Sequence, residues 1–91
     1  MNKENRKPLE RLFKAVANER RLVIIDYLKK HKHATVGEIA AHLKLSFAAT
    51  SRHLSLLYNV DILEREQKSL EIYCSLSNKL PKNCRRIIDI C

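Results

Sequence analysis

The sequence has 91 residues, of which 45% are hydrophobic, and this length supports one hydrophobic core rather than two. A single domain spanning residues 1–91 is therefore expected, and a domain this small gains much of its stability from a partner subunit. Eighteen lysines and arginines stand against 10 acidic residues, which gives a formal net charge of +8. This charge favours an acidic partner such as nucleic acid, although it would also suit a membrane surface or an acidic protein.

The N-terminal sequence, the hydropathy and the cysteine spacing indicate where in the cell the protein is located. The first eight residues lack the apolar core of a signal peptide, and no stretch approaches the roughly 20 apolar residues of a membrane span. We therefore expect a cytoplasmic protein with no membrane partner. The three cysteines have no CxxC spacing, which argues against a secreted disulfide scaffold and against a zinc ribbon.

The first two predicted elements are amphipathic helices. Pro8 suits a first helical turn, and the apolar residues after it recur at helical spacing, which predicts a helix over residues 8–17. The apolar stripe consists of Leu9, Leu12, Phe13 and Val16. Asn18 is a natural N-cap for a second helix over about residues 19–30, whose last turn carries lysines near the negative end of the helix dipole. Residues 31–34 are predicted to be a connector.

Residues 35–59 predict two short helices joined by a tight connection, which is a helix-turn-helix. Thr35 and Glu38 form the S/T-x-x-E capping box that begins the first helix. Ser46 is the natural N-cap of the second helix. The outward side of that second helix is small and polar around a single cation, and such a surface can enter a DNA groove. Its members are Ala48, Ser51, Arg52 and Ser55.

The last third of the chain predicts a hairpin followed by a helix. Asn59 is predicted to end the preceding helix in the left-handed conformation. Residues 62–66 and 70–76 then predict two strands joined by a turn at 67–69, because the apolar period changes to two. This hairpin is a wing. A fifth helix over residues 80–91 has its apolar stripe at Leu80, Cys84, Ile87, Ile88 and Cys91.

The expected fold is therefore mainly α with a small β-hairpin: a winged helix-turn-helix of five helices and a two-stranded wing. The segments between the terminal helices already suffice for a compact core. We therefore expect helices 8–17 and 80–91 to pack together and against a symmetry mate in a homodimer. The alternative is that both helices only close the core of one chain. The residues assigned to the dimer interface are Leu9, Leu12, Phe13, Val16, Leu80, Cys84, Ile87, Ile88 and Cys91.

Three stretches resemble the ArsR/SmtB family of winged-helix repressors. Residues 12–22, LFKAVANERRL, resemble the family's opening LFKALADPTRL. Residues 45–57, LSFAATSRHLSLL, resemble its recognition helix LSQSTVSRHLKLL, and residues 72–76, IYCSL, resemble its wing strand VYYSL. The resemblance implies a homodimeric transcription regulator, a repressor, that reads a palindromic operator in double-stranded DNA with helix 46–59.

The resemblance also implies how that helix meets DNA. Ser46 would cap the helix near a phosphate, and Arg52 would either contact guanine bidentately or hold a phosphate. Phe47 and Ala49 replace polar family residues, so readout is expected to lean on methyl contacts and DNA shape. The residues expected to bind DNA are Lys44, Ser46, Phe47, Ala48, Ala49, Ser51, Arg52, Ser55, Arg65 and Lys68.

The wing departs from the family pattern. Family wings are usually basic, whereas here the charges nearly cancel, and Ser69 stands near the place of the family's glycine. The charged wing residues are Glu64, Arg65, Glu66, Lys68 and Glu71. The nearly balanced charges therefore argue against insertion of the wing into the minor groove.

The metal sites of the family are missing from this sequence. Many members bind a metal through a cysteine pair at the start of the third helix, but Thr35 and Gly37 occupy those positions here. A second family site uses Asp, His and Glu on the fifth helix, but residues 82–91 contain no histidine. Neither threonine nor glycine is a soft ligand, and the remaining histidines do not form a converging set, so no metal or other cofactor is expected. The sequence identifies no inducer.

Cys84 and Cys91 are candidates for a thiol switch, because Arg85 and Arg86 would lower a thiol pKa and favour oxidation. The competing interpretation is that both thiols only fill the interface as small apolar groups. Cys74 alternates inward on its strand and is expected in the core.

A protein-binding module and an enzyme are the two alternatives to a DNA-binding protein. A winged-helix module could bind a protein through its neutral wing and Phe47. An enzyme is not expected, because the sequence has no glycine-rich phosphate loop and no nucleophile elbow. Ser51 and His53, two residues apart on a helix, cannot face each other as a catalytic pair.

Overall fold

A computed structural model describes residues 2–79 and 82–90, with side chains for all of these except 82–84. Leu80 and Cys91, both assigned to the expected dimer interface, lie outside the described residues, as does the side chain of Cys84. The described elements are α1 (Lys3–Val16), α2 (Glu19–His31), β1 (His33–Thr35), α3 (Val36–Leu43), α4 (Phe47–Asn59), β2 (Leu63–Lys68), β3 (Glu71–Leu76) and α5 (Lys82–Ile90). The predicted winged helix-turn-helix fold is confirmed.

Helix α1 begins five residues earlier than the sequence predicts. The Asn2 side chain accepts a hydrogen bond from the backbone N–H of Asn5 at 3.1 Å and caps the helix at Lys3. Pro8 therefore lies inside the helix rather than in its first turn. Its missing N–H leaves the carbonyl of Glu4 without an intrahelical partner, and both residues are exposed, so water can satisfy that carbonyl.

The predicted connector before the helix-turn-helix contains a strand. Asn18 caps α2 as predicted, since its side chain accepts a hydrogen bond from the backbone N–H of Arg21 at 3.1 Å. After α2, however, β1 pairs antiparallel with β3, and Ala34 lies opposite Cys74. The sheet order is β1-β3-β2, so the sheet has three strands where a two-stranded wing was expected. A three-residue strand is too short to show an alternating pattern in the sequence.

The caps of the helix-turn-helix form as the sequence predicts. Both bonds of the capping box are present: the backbone N–H of Thr35 donates to Glu38 Oε1 at 3.0 Å, and the N–H of Glu38 donates to Thr35 Oγ1 at 3.1 Å. Ser46 Oγ accepts from the N–H of Ala49 at 3.1 Å and begins α4. Asn59, in contrast, is still helical, and the left-handed residue after the helix is Asp61 at φ 59°.

The wing turn begins two residues later and ends one residue later than the predicted turn at 67–69. Strand β2 continues to Lys68 and β3 begins at Glu71, so the turn consists of Ser69 and Leu70. Ser69 adopts φ 56°, a left-handed conformation that favours glycine. Leu70 is consequently at the tip with 97% of its surface exposed, rather than in the predicted strand over residues 70–76. Cys74 is buried in the core as expected.

The core of one chain already includes part of the expected dimer interface. The side chains of Leu12, Val16 and Ile88 are buried among core residues from α2, α3, α4 and the sheet. They are therefore covered largely by their own chain, and their assignment to a contact between chains stays a prediction. Helix α5 is held in place partly by Arg85, whose Nη1 donates to the carbonyl of Ser77 at 2.7 Å.

Candidate nucleic-acid interface

Helix α4 separates a buried side from an exposed one. Thr50, Leu54 and Leu57 are buried in the core, and the Thr50 hydroxyl donates to the carbonyl of Ser46 at 2.9 Å. The opposite side is exposed at Ala48, Arg52 and Ser55, while Ala49 and Ser51 at its flanks are half-buried. Because the core fixes the helix on its inner side, the outer side is held in one orientation for a partner.

Arg52 is the only cation on α4. It is exposed, and the ion pairs among the described residues are Lys7–Glu10 and Lys30–Asp26. Within that part of the chain its guanidinium therefore has no acidic partner. A guanidinium in this state presents its planar set of donors to guanine or phosphate without first breaking an ion pair.

The N-terminus of α4 adds backbone donors. The first N–H groups of a helix have no intrahelical acceptor, and here Ser46 satisfies the one on Ala49. Lys44, directly before this turn, is exposed and has a left-handed backbone at φ 57°. The N–H groups of Phe47 and Ala48 at this positive end of the helix suit a phosphate.

Arg21 connects α4 to the first two helices. Its Nε donates to the carbonyl of Ala15, its Nη2 donates to the carbonyl of Lys14 at 3.3 Å, and its Nη1 lies 3.4 Å from His53 Nδ1 on α4. Since arginine only donates, His53 Nδ1 is the acceptor in this contact. Arg21 therefore caps the C-terminal end of α1 and braces the recognition helix at the same time. Sequence analysis missed this role because the contacts join residues as far as 32 positions apart.

The pKa of His53 is lowered, first by burial and then by the neighbouring cations Arg21, Arg20 and Arg52. Burial and positive charge both disfavour the imidazolium. The ring is therefore neutral at neutral pH, which fits its role as acceptor from Arg21. We conclude that His53 belongs to the brace of α4, at the edge of the helix, rather than to its exposed side.

The two wing cations lie over aromatic rings. The guanidinium carbon of Arg65 is 4.4 Å from the centroid of the Tyr58 ring, and Lys68 Nζ is 6.0 Å from that of Tyr73. Both cations are exposed, but these contacts hold Arg65 against α4 and Lys68 against β3. They can meet a phosphate beside the wing more readily than they can reach into a groove.

An apolar groove lies between the wing and the start of α3, next to the first residue of α4. It has a volume of about 360 Å³, and its apolar lining includes Val36, Phe47, Leu70 and Ile72. Phe47 is 64% exposed at the edge of this groove. The ring therefore belongs to the wing side of α4, whereas Ala48 and Arg52 point outward.

Residues 2–79 and 85–90, whose side chains the structure describes, include histidines, acidic residues and the thiol of Cys74. In that part of the chain no three histidine, cysteine or acidic side chains converge on a metal position. Cys74 is buried and its Sγ lies 2.7 Å from the Tyr58 hydroxyl, and burial raises the pKa of this thiol. It is therefore a core group with little thiolate character. The predicted redox pair, Cys84 and Cys91, falls outside the described side chains.

The exposed apolar residues of the terminal helices differ from the predicted set. Phe13 on α1 is 49% exposed and Leu9 is half-buried, so both retain surface. Ile90 on α5 was not predicted, yet it is 84% exposed. The sequence signal for Ile90 is its position three residues after Ile87, which places both residues on the same side of a helix. Among the described helices none is long and apolar enough to cross a membrane.

These features define a winged helix-turn-helix protein whose recognition helix has an exposed, weakly polar side with one cation. Residues 18–65 match the family described as bacterial regulatory protein, arsR family. The chain belongs to this family, which confirms the resemblance seen in the sequence and places the chain among transcription regulators rather than enzymes.

Two transcription regulators are similar to this chain over about three quarters of its length. The chain is 39% identical over 67 residues to the transcriptional repressor PagR of Bacillus anthracis, covering 74% of this chain and 67% of PagR. It is 36% identical over 67 residues to the transcriptional activator HlyU of Vibrio cholerae, covering 74% of this chain and 61% of HlyU.

Solved structures extend the likeness to the whole fold. The HlyU structure matches with a TM-score of 0.83 at 29% identity, covering 98% of this chain and 92% of that one. A homodimeric winged helix-turn-helix DNA-binding domain from Mycobacterium bovis matches with a TM-score of 0.79, covering 91% of this chain and 73% of that one. Its 24% identity supports the shared fold alone.

Proposed function

We propose that the chain is a homodimeric repressor that reads a palindromic operator in double-stranded DNA with the exposed side of α4. The observation that carries the proposal is Arg52, an exposed cation without an acidic partner among the described residues, at the centre of a side otherwise made of alanine and serine. Repression is proposed from the likeness to PagR, which is described as a repressor. HlyU, in contrast, is described as an activator. Action on DNA also implies a cytoplasmic location.

Dimerisation is proposed through the apolar residues that remain exposed on the terminal helices. Phe13 on α1 and Ile90 on α5 expose large apolar surfaces, and a symmetric pair of chains can cover them. The related Mycobacterium bovis domain is described as homodimeric. Two α4 helices related by a two-fold axis would read half-sites about one helical turn of DNA apart.

The oligomeric state tests this part separately. The chain is expected to sediment as a dimer. The Phe13→Ser substitution should shift the equilibrium towards the monomer. Leu70→Ser removes an apolar side chain that is more exposed, but at the wing tip, and serves as the control. A wild-type chain that stays monomeric at every concentration would contradict the dimer.

Sequence readout is proposed to combine one charged contact with apolar ones. Arg52 can contact guanine through two donors, and the methyl group of Ala48 suits the methyl group of thymine. Ser51 and Ser55 contribute hydroxyls that can form a hydrogen bond with a base edge or donate one to a phosphate. The wing cations Arg65 and Lys68 are proposed to contact the DNA backbone only, since they lie over the rings of Tyr58 on α4 and Tyr73 on β3.

DNA binding is tested by selecting operators from random duplexes and measuring affinity by fluorescence anisotropy. The affinity for the selected operator should fall steeply with salt, because phosphate contacts release counterions. Arg52→Ala should weaken binding at least about tenfold. Lys30→Ala removes an equal charge on α2, from an exposed ion pair, and is the matched control. Failure of the folded protein to select any duplex would refute the proposal.

The apolar groove beside the wing favours one alternative, a module that binds another protein. Phe47, Leu70 and Ile72 are all exposed apolar residues around it. A contact of this kind should change little with salt, whereas DNA binding should weaken strongly. A Phe47→Ser chain that keeps its operator affinity but loses a salt-insensitive protein partner would support this alternative.

A further inference from the structure

A second groove lies between the second half of α1 and the end of α4. Its volume is about 380 Å³. We call it the α1–α4 groove. Its lining residues are Arg11, Lys14, Ala15, Arg21, Leu56, Asn59 and Val60. This volume falls in the range of sites that hold small molecules, about 300–1,000 Å³.

The groove has an apolar floor. Ala15 is buried, Val60 is half-buried, and Leu56 is 46% exposed. An exposed leucine on the recognition helix leaves apolar surface in contact with water, and covering that surface is favourable. The floor therefore suits a hydrocarbon chain or an aromatic ring rather than a polar molecule.

The rim of the groove is cationic. Three of its residues, Arg11, Lys14 and Arg21, are positively charged, and no carboxylate is among the lining residues that the structure describes. Arg11 donates one bond to the carbonyl of Asn59 at 3.4 Å, and further donors of its guanidinium remain. The described ion pairs do not include Lys14. The rim is thus three positive charges without an acidic counterpart.

We propose that the α1–α4 groove binds a small anionic amphiphile, a carboxylate or sulfonate with a hydrocarbon or aromatic body. The anionic group would meet Arg11 and Lys14 at the rim, and the body would cover Leu56 and Val60. Charge complementarity selects the anion, and the apolar floor selects against small inorganic anions.

The regulatory consequence rests on the proposed DNA-binding function. The groove is formed by α1 and α4 together, and Arg21 belongs both to its lining and to the brace that holds α4. A ligand between the two helices changes how α4 lies against α1 and hence its fit to the operator. By thermodynamic reciprocity, operator DNA then changes the affinity for the ligand by the same factor.

Binding is tested without DNA by titrating the full chain with sodium decanoate, below its micelle concentration, and following backbone amide signals by NMR. Saturable shifts are expected at Ala15, Leu56 and Val60. Decanol and decyltrimethylammonium bromide have the same chain length but no anionic group. Their apparent affinities, measured from the same shifts, should be at least about tenfold weaker than that of decanoate. Shifts that do not saturate, or that centre on Phe13 and Ile90, would overturn the proposal.

Two variants locate the site. Lys14→Glu and Leu56→Gln should each weaken decanoate binding at least about tenfold, whereas Lys79→Glu, the same charge change at an exposed position outside the groove lining, should leave it within about twofold. Circular dichroism melting confirms that each variant folds. Equal decanoate affinity in all of these chains would contradict the assignment.

Operator affinity without decanoate separates this site from a DNA contact. Lys14→Glu and Lys79→Glu should each reduce it by less than about tenfold, because neither side chain is placed in a phosphate contact. A much larger loss in Lys14→Glu would make the groove a phosphate contact and overturn the ligand proposal. If no chain binds any operator while decanoate still binds in the groove, the proposed function fails and the ligand site stands.

Discussion

Replacing Arg21 with alanine should destabilise the fold by about 2 kcal/mol. The side chain donates to two carbonyls at the C-terminal end of α1, those of Ala15 and Lys14, and contacts His53 on α4. A hydrogen bond from a charged group is worth about 1.5–3 kcal/mol. Because the side chain is only half-buried, water replaces part of what two such bonds would contribute.

Urea denaturation followed by circular dichroism measures this loss. In a domain of this size, about 2 kcal/mol corresponds to a fall of roughly 8–16 °C in Tm. Arg20→Ala is the matched control, since Arg20 is the exposed neighbour of Arg21 and should change stability by less than about 0.5 kcal/mol. Arg21→Lys should recover only part of the loss, because one ammonium cannot replace a planar set of donors. Equal stability of Arg20→Ala and Arg21→Ala would refute the brace.

Three further predictions concern pH, capping and DNA chemistry. The lowered pKa of His53 means that the unfolded state binds its proton more readily, so stability should fall as the pH drops from about 6.5 towards the folded-state pKa, and His53→Gln should flatten that part of the urea-stability profile. Ser46→Ala should cost about 1 kcal/mol by removing the cap on Ala49, and Ser46→Asp should restore the stability measured by urea denaturation. Replacing thymine by uracil in the selected operator should weaken binding at one or more positions, and that loss should shrink in Ala48→Gly; equal affinity for both duplexes would exclude methyl readout.

Local signals predicted much of this fold, because caps and short-range periodicity lie within a few residues of each other. The capping box of Thr35 and Glu38 and the caps at Asn18 and Ser46 all form as expected. The exposed side of α4 also follows from its periodicity. These features fix where the recognition helix begins and which residues it presents.

The features that the sequence did not reveal depend on distant contacts. Strand β1 exists because it pairs with β3, some 40 residues later in the chain. The brace formed by Arg21 and His53 likewise joins separate helices. The apolar stripe of α1 looked uniform in the sequence, yet Leu12 and Val16 are buried by their own chain while Phe13 remains exposed. Periodicity shows which face is apolar but not whether the same chain or a second one covers it.

The most direct test of the central claim is an NMR titration of the full chain with its selected palindromic operator, with the amide signals of α4 assigned. The proposed function predicts that the largest changes fall on Ala48, Ser51, Arg52 and Ser55, at a stoichiometry of two chains per palindrome. Changes concentrated at Phe47, Leu70 and Ile72, with the outer side of α4 unaffected, would contradict it.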